Sequence, residues 1–306
     1  MNIALACLPN WYTTTPSIGF AYLYSALKDK HCVRRFEFNL AFRREDWVQE
    51  IERLNNDTKL TEKMSKGSNL FLNEHIKSYV KYCVQKIINS NPDIVGFSIT
   101  RINKNINFIV AKEIKRNFPN TTVVFGGPDT FCDDSEKLEE YKQYLNQGFV
   151  DFVVFGEGEL TFPALVENIQ NNETPYIPGL QYIKEGRIEF TGNWRRDNDI
   201  KNLNYPIYSN KDIKNSECPW MLPLLASRGC PNRCDFCIKS VYWDTYRARA
   251  PKDIVQEIKH HIKENNIKCF RFNDLLINGD IKKLKTFCKE LIHEQMDITW
   301  GGNFRV

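Results

Sequence analysis

The sequence predicts an α/β protein: an N-terminal doubly wound parallel sheet followed by a second, partial parallel β/α unit. Three observations carry this. Short β-rich apolar runs alternate with helical patterns, the signature of a parallel sheet covered by helices. The first 170 residues hold five such runs, and the alternation resumes after residue 220 with three more. A length of 306 residues with 42% apolar side chains is enough for about two cores.

The first five strands are expected at Ile3 to Leu8, Val33 to Phe38, Asp93 to Ile99, Thr121 to Phe125 and Asp151 to Phe155, with helices near 18–30, 106–117, 134–146 and 159–170. These make a first domain over residues 1–175. Between the second and third strands lies an insertion, about 42–90. Its apolar residues Ile51, Leu54, Leu60, Ile76, Tyr79, Val80, Cys83 and Ile87 recur at helical spacing, which predicts two or three helices. Residues 176–220 carry Pro178, Pro206 and Pro219 and read as a linker. Within it, Gly179 to Lys184 and Arg187 to Thr191 form a hairpin turned by Glu185-Gly186. From 221 to 306 the order is strand Met221 to Ala226, helix Pro251 to Glu264, strand Lys268 to Phe272, helix Asp280 to His293 and strand Ile298 to Asn303.

Charge excludes some partners. Forty-two basic against 38 acidic residues give a net charge of +4, too small a field to expect nucleic acid. The N-terminal run Met1 to Leu8 lacks a basic flank and is too short to span a bilayer, so it reads as a strand, and no membrane partner is expected. Outside residues 230–237 the cysteines show no disulfide-framework spacing, which favours the reducing cytoplasm.

In doubly wound sheets ligands bind outside the carboxyl ends of the strands. The loops there read Ser98-Ile99-Thr100, Gly126-Gly127-Pro128-Asp129 and Gly156-Glu157-Gly158-Glu159. Glycines let a backbone approach a bulky ligand; tight strand-to-helix turns account for each loop equally well. No Gly-x-Gly-x-x-Gly follows the first strand, which argues against a dinucleotide domain.

The strongest signal is Arg228-Gly229-Cys230-Pro231-Asn232-Arg233-Cys234-Asp235-Phe236-Cys237. Ten cysteines in 306 residues produce this spacing by chance only about 0.01 times per chain. Thiolates select iron–sulfur clusters or zinc. Structural zinc wants a fourth protein ligand, and the nearest candidates, Cys218 and His260, lie outside the loop, so zinc is the lesser alternative. Three cysteines leave one iron of a 4Fe-4S cluster open to a substrate or cofactor.

Cys230, Cys234 and Cys237, with Phe236 before the last, resemble the signature of radical S-adenosylmethionine enzymes. The resemblance implies a parallel β/α barrel and a 4Fe-4S cluster whose free iron chelates S-adenosylmethionine and cleaves it reductively. It puts Phe236 against the adenine, although packing of the loop explains an aromatic there as well. It puts Asn273 and Asp274, at the end of the second barrel strand, near the cofactor's amino group or ribose, although either suits an ordinary strand end. Arg247 and Arg249 could engage a carboxylate or line the substrate mouth, but a solvated pair before a helix is the better account.

Pro16 to Leu23, Asn91 to Gly96, Val124 to Pro128 and Val154 to Glu159 are similar to the Rossmann-like cobalamin-binding domain fused before such barrels. That implies cobalamin near Ser98, Thr100, Gly126, Gly127, Gly156 and Gly158. None of His31, His75, His260, His261 and His293 lies in an Asp-x-His-x-x-Gly pattern, so a bound corrinoid is expected to lack a histidine lower ligand.

The function this implies is that of a cobalamin-dependent radical S-adenosylmethionine enzyme, a transferase methylating an unactivated carbon, with cyclisation and rearrangement possible on the same scaffold. The substrate would be a small molecule or peptide and the electron donor a flavodoxin or ferredoxin. A non-catalytic corrinoid or iron–sulfur binding module is the alternative. Barrels of this family have six strands, so residues 221–306 are expected to be the N-terminal half of a truncated domain.

Overall fold

The computed structural model describes residues 1–9, 13–41, 45–57, 59–60, 72–130, 135–192, 200, 203–237 and 245–305. The chain divides into two compact units, residues 1–12 with 23–196, and residues 13–22 with 197–306.

The first unit is built on β1 (Asn2–Cys7), β2 (Cys32–Glu37), β3 (Ile94–Ser98), β4 (Thr122–Gly126) and β5 (Phe152–Val154). They pair in the order β2-β1-β3-β4-β5, all parallel. Central strands of a parallel sheet are covered on both faces and must be apolar throughout. Ile3 to Leu8 are each at most 1% exposed, and Val95, Val123 and Phe125 are fully buried. The expected hairpin forms as β6 (Leu180–Lys184) and β7 (Arg187–Phe190), and it extends this sheet: β6 pairs antiparallel with β5. The segment read as a linker therefore begins as the far edge of the sheet, seven strands in all among the described residues.

Helix α1 (Ile18–Leu27) follows β1, and a short α2 (Phe38–Ala41) follows β2. In the insertion, α3 (Glu45–Asn56) and α4 (Glu74–Ile88) form; the expectation for 61–71 lies outside the described residues. Asn73 caps α4, accepting from Ile76 N at 2.9 Å. The α4 face made of Ile76, Tyr79, Val80, Cys83, Val84 and Ile87 is buried, as helical spacing requires. Helices α5 (Lys104–Asn117), α6 (Ser135–Asn146) and α7 (Gly158–Gln170) follow β3, β4 and β5.

In the second unit, β8 (Met221–Leu224), β11 (Cys269–Phe272) and β12 (Thr299–Gly301) form a parallel sheet with β11 in the middle. The register sets Phe272 beside Leu224. A two-stranded antiparallel ribbon, β9 (Ser227–Arg228) with β10 (Arg247–Ala248), brackets the cysteine loop. Helix α8 (Asn210–Asn215) precedes β8; α9 (Pro251–Asn265) and α10 (Ile281–His293) cover the sheet with Ile254, Val255, Ile258, Phe287 and Leu291. Pro251 starts α9, and left-handed Asn266 (φ 55°) ends it. Residues 13–22, which resemble part of the first domain in sequence, group here: Ala21 is in this core, and Thr13 and Thr14 accept from the backbone of Glu217 and Cys218.

Candidate functional site

The order β2-β1-β3-β4-β5 reverses direction between β1 and β3, and at such a switch point a crevice opens outside the strand ends. Asn103, fully buried, ties the two sides together. Its Oδ1 accepts from Thr100 N at 2.7 Å, and its Nδ2 donates to Leu8 O at 3.0 Å and Ser98 O at 3.3 Å. Thr100 is 3% exposed, and its Oγ1 has no hydrogen-bond partner among the described residues. A hydroxyl buried at a switch point without a partner is what a polar ligand group would satisfy. Ser98, half-buried, lies level with Gly126 on β4.

The glycines divide. Gly127 (φ 109°) packs so tightly that a Cβ would stand 2.9 Å from Ile99 N, and Gly156 (φ 82°) donates to Thr130 O. Local packing is reason enough for glycine at 127. Gly126 and Gly158 are different: a Cβ there would meet only ordinary contacts, at 3.6 Å to Val154 and 3.7 Å to Leu23. Neither backbone needs glycine for space within the chain, which fits a surface kept bare for a bulky ligand.

Behind this rim lies a buried ionic cluster that sequence reading missed. Asp129 is gripped by Lys104 at 2.7 Å and Lys137 at 3.1 Å, and Tyr141 OH donates to it at 2.7 Å. Glu140 pairs with both lysines, at 2.6 and 3.0 Å. Burial pushes the Asp129 carboxyl up, but the two ammonium groups outweigh it and hold it below the usual range. Asp129 N also donates to Ile99 O, stitching the β4 loop to the β3 loop.

In the second unit the cysteine loop leaves β9 through Gly229, whose φ is 80° and where a Cβ would collide with the Thr245 carbonyl. Cys230, Cys234 and Cys237 are all half-buried on this one loop, and Cys237 N donates to Cys234 O at 2.9 Å, closing a turn between two of them. Asn232 Nδ2 lies 3.8 Å from Cys230 Sγ. Among the described residues no three metal-ligating side chains are already gathered around a point. Sites of this kind assemble when the metal draws its ligands in. The donor set of three accessible thiols within eight residues fits a 4Fe-4S cluster with one open iron. Phe236 is 92% exposed, so loop packing does not explain it.

Asn273 is exposed, with its backbone N donating to Leu224 O. Asp274 is 1% exposed and turns inward: Oδ2 accepts from Ala226 N at 3.0 Å, and Oδ1 from Ser227 Oγ at 2.5 Å. The structure does not bring Asn273 and Asp274 to one surface. Arg247 and Arg249 are not solvated; they are 7% and 5% exposed. Arg249 NH1 stands 2.5 Å from Glu257 Oε2, a charge contact without hydrogen-bond alignment, and donates to Leu225 O at 2.9 Å. Glu257 on the apolar stripe of α9, between Ile254 and Ile258, was the available signal for that burial.

Several known proteins resemble this chain in sequence or fold. Residues 68–166 match the B12-binding domain family. The chain is 26% identical over 300 residues to an uncharacterized methyltransferase of Pyrococcus horikoshii, covering 96% of this chain and 56% of that protein. It is 28% identical over 247 residues to the anaerobic magnesium-protoporphyrin IX monomethyl ester cyclase of Rubrivivax gelatinosus, covering 72% of this chain and 40% of that one. Among solved structures, the radical S-adenosylmethionine methyltransferase TsrM from Kitasatospora setae, with cobalamin and a 4Fe-4S cluster bound, superposes with a TM-score of 0.65 at 16% identity, over 96% of this chain and 52% of that one. Residues 68–166 are thus similar to B12-binding domains, and the chain as a whole is similar in sequence to a methyltransferase and a cyclase and in fold to TsrM. The chain spans about half the length of the relatives it matches.

Proposed function

We propose that the protein of which this chain is part is a cobalamin-dependent radical S-adenosylmethionine enzyme, acting as a methyltransferase on an unactivated carbon of a small molecule or peptide. The observation that carries the reading is the pairing of one loop bearing three accessible thiols with a separate unit that matches the B12-binding family. Cys230, Cys234 and Cys237 would hold the cluster, which when bound supplies the electron for reductive cleavage of S-adenosylmethionine. Phe236, projecting beside Cys237, offers a flat apolar face for an adenine ring. At the other site, the Thr100 hydroxyl and the bare backbone at Gly126 and Gly158 would receive a corrinoid, with Ser98, Gly127 and Gly156 shaping the rim and without a histidine ligand. Electrons would come from a flavodoxin or ferredoxin, in the cytoplasm, without nucleic-acid or membrane partners; no helix among the described residues is long and apolar enough to cross a membrane.

The test is anaerobic reconstitution with iron and sulfide, followed by reductant and S-adenosylmethionine. Absorbance near about 400 nm and formation of 5′-deoxyadenosine are expected. Cluster uptake without 5′-deoxyadenosine favours the non-catalytic binding module, and bound zinc in place of iron overturns both.

A further inference from the structure

The cysteine loop is open at its tip and closed at its base. Phe236 at the tip is 92% exposed, whereas Ser227 and Arg228 at the base are 3% and 7% exposed. What closes the base is Asp274. It lies two residues past the end of β11, and because Phe272 and Leu224 are register partners, it arrives beside the exit of β8. Both of its oxygens are engaged there, one by Ala226 N and the other by Ser227 Oγ. Burial lifts its carboxyl to about 6 even though these donors pull the other way. A group so costly to bury is retained where its geometry matters. Asn303 Nδ2 donates to Asp274 O at 3.0 Å, so the end of β12 braces the same point.

Resting on the cluster assignment above, we propose that Asp274 is a positioning residue: it sets the base of the cysteine loop through the Ala226 amide and the Ser227 hydroxyl, so that Cys230, Cys234 and Cys237 converge on one cluster. The path from anchor to ligand is short and stiff. Ser227 and Arg228 are pinned by antiparallel pairing with Ala248 and Arg247, and Gly229 is held against the Thr245 carbonyl before Cys230 begins. A shift at residue 227 therefore reaches the first thiol three residues on. This gives Asp274 a role distinct from touching S-adenosylmethionine, since both of its oxygens are buried and engaged by Ala226 and Ser227.

The test uses the whole chain as wild type, Asp274→Asn and Ser227→Ala, the second removing only one hydroxyl. Three readouts are taken: the rate at which an iron chelator strips the reconstituted cluster, thermal unfolding of the apo-protein, and amide exchange at Ser227 and Arg228 in the apo-protein. Losing an outer support costs a metal site on the order of 10- to 100-fold in affinity. Stripping is accordingly expected to be about 10-fold faster in Asp274→Asn, and faster in Ser227→Ala without loss of unfolding temperature. Unchanged stripping rates in both variants overturn the proposal, as does a fall in unfolding temperature that leaves stripping untouched. If wild type takes up no iron and sulfide, the cluster assignment fails instead. Amide exchange then still decides the anchor: faster exchange in both variants supports it, and unchanged exchange overturns it.

Discussion

Two buried aspartates carry opposite pH signs. Asp129 is held below the usual carboxylate value of 3.8, so the folded state binds its proton less readily than the unfolded chain does. Its contribution is fully present above that value and is lost as pH falls through the folded pKa. Asp274, lifted to about 6 from 3.8, works the other way: folding favours its protonated form, so its contribution falls as pH rises through this window. Urea denaturation at a series of pH values should show Asp129→Asn with a flatter acid limb and Asp274→Asn with the slope between these two values reduced. At neutral pH, Asp129→Asn leaves Lys104 and Lys137 still paired with Glu140 but without the carboxylate between them, and a cost of about 3–5 kcal/mol is expected. The three cysteines should behave differently from either aspartate. Replacing any one with alanine is expected to abolish the absorbance near about 400 nm while leaving the apo-protein's unfolding temperature unchanged, since each thiol is only half-buried on a loop.

At the scale of elements, helices were legible by a period and buried strands by unbroken apolar runs, both of which a sequence displays directly. The α4 face from Ile76 to Ile87 and the apolar run Ile3 to Leu8 are examples. Polar side chains that bind between elements have no period. Asn103, Lys104 and Ser227 carried no expectation from the sequence, and their roles depend on partners far away in the chain. Arg249 adopts the account that the sequence ranked second, a contact with a carboxylate: the residues before a helix are usually solvated, and the partner that buries it, Glu257, lies two turns into α9. Glu257→Gln should strand that guanidinium and destabilise the second unit by about 3–5 kcal/mol, whereas Arg249→Met with Glu257→Leu should recover most of the loss. Chemical denaturation of the single and double variants checks this. The cysteine loop was the most legible candidate because covalent spacing alone sets its three thiols; the contact at its base was not, because Asp274 meets it from another strand.

At the scale of the molecule, each unit has its own apolar core. Hydroxocobalamin at 100 times its dissociation constant should stabilise the first unit by about 2.7 kcal/mol and leave the unfolding of the second unchanged, as followed by limited proteolysis on heating. The two units also differ in how their chain can vary in length. The first accommodates three helices, α2, α3 and α4, between β2 and β3 among the described residues, with an apolar face to bury but no fixed length of chain between them. Nothing of that kind is tolerated from Thr100 to Asn103. One amide side chain there must reach Leu8 on one side and Thr100 on the other, and adding or deleting a single residue would swing it out of reach of both. Among natural variants of this protein, gaps should therefore gather in the helical insertion, while this four-residue stretch keeps its length even where its neighbours change identity.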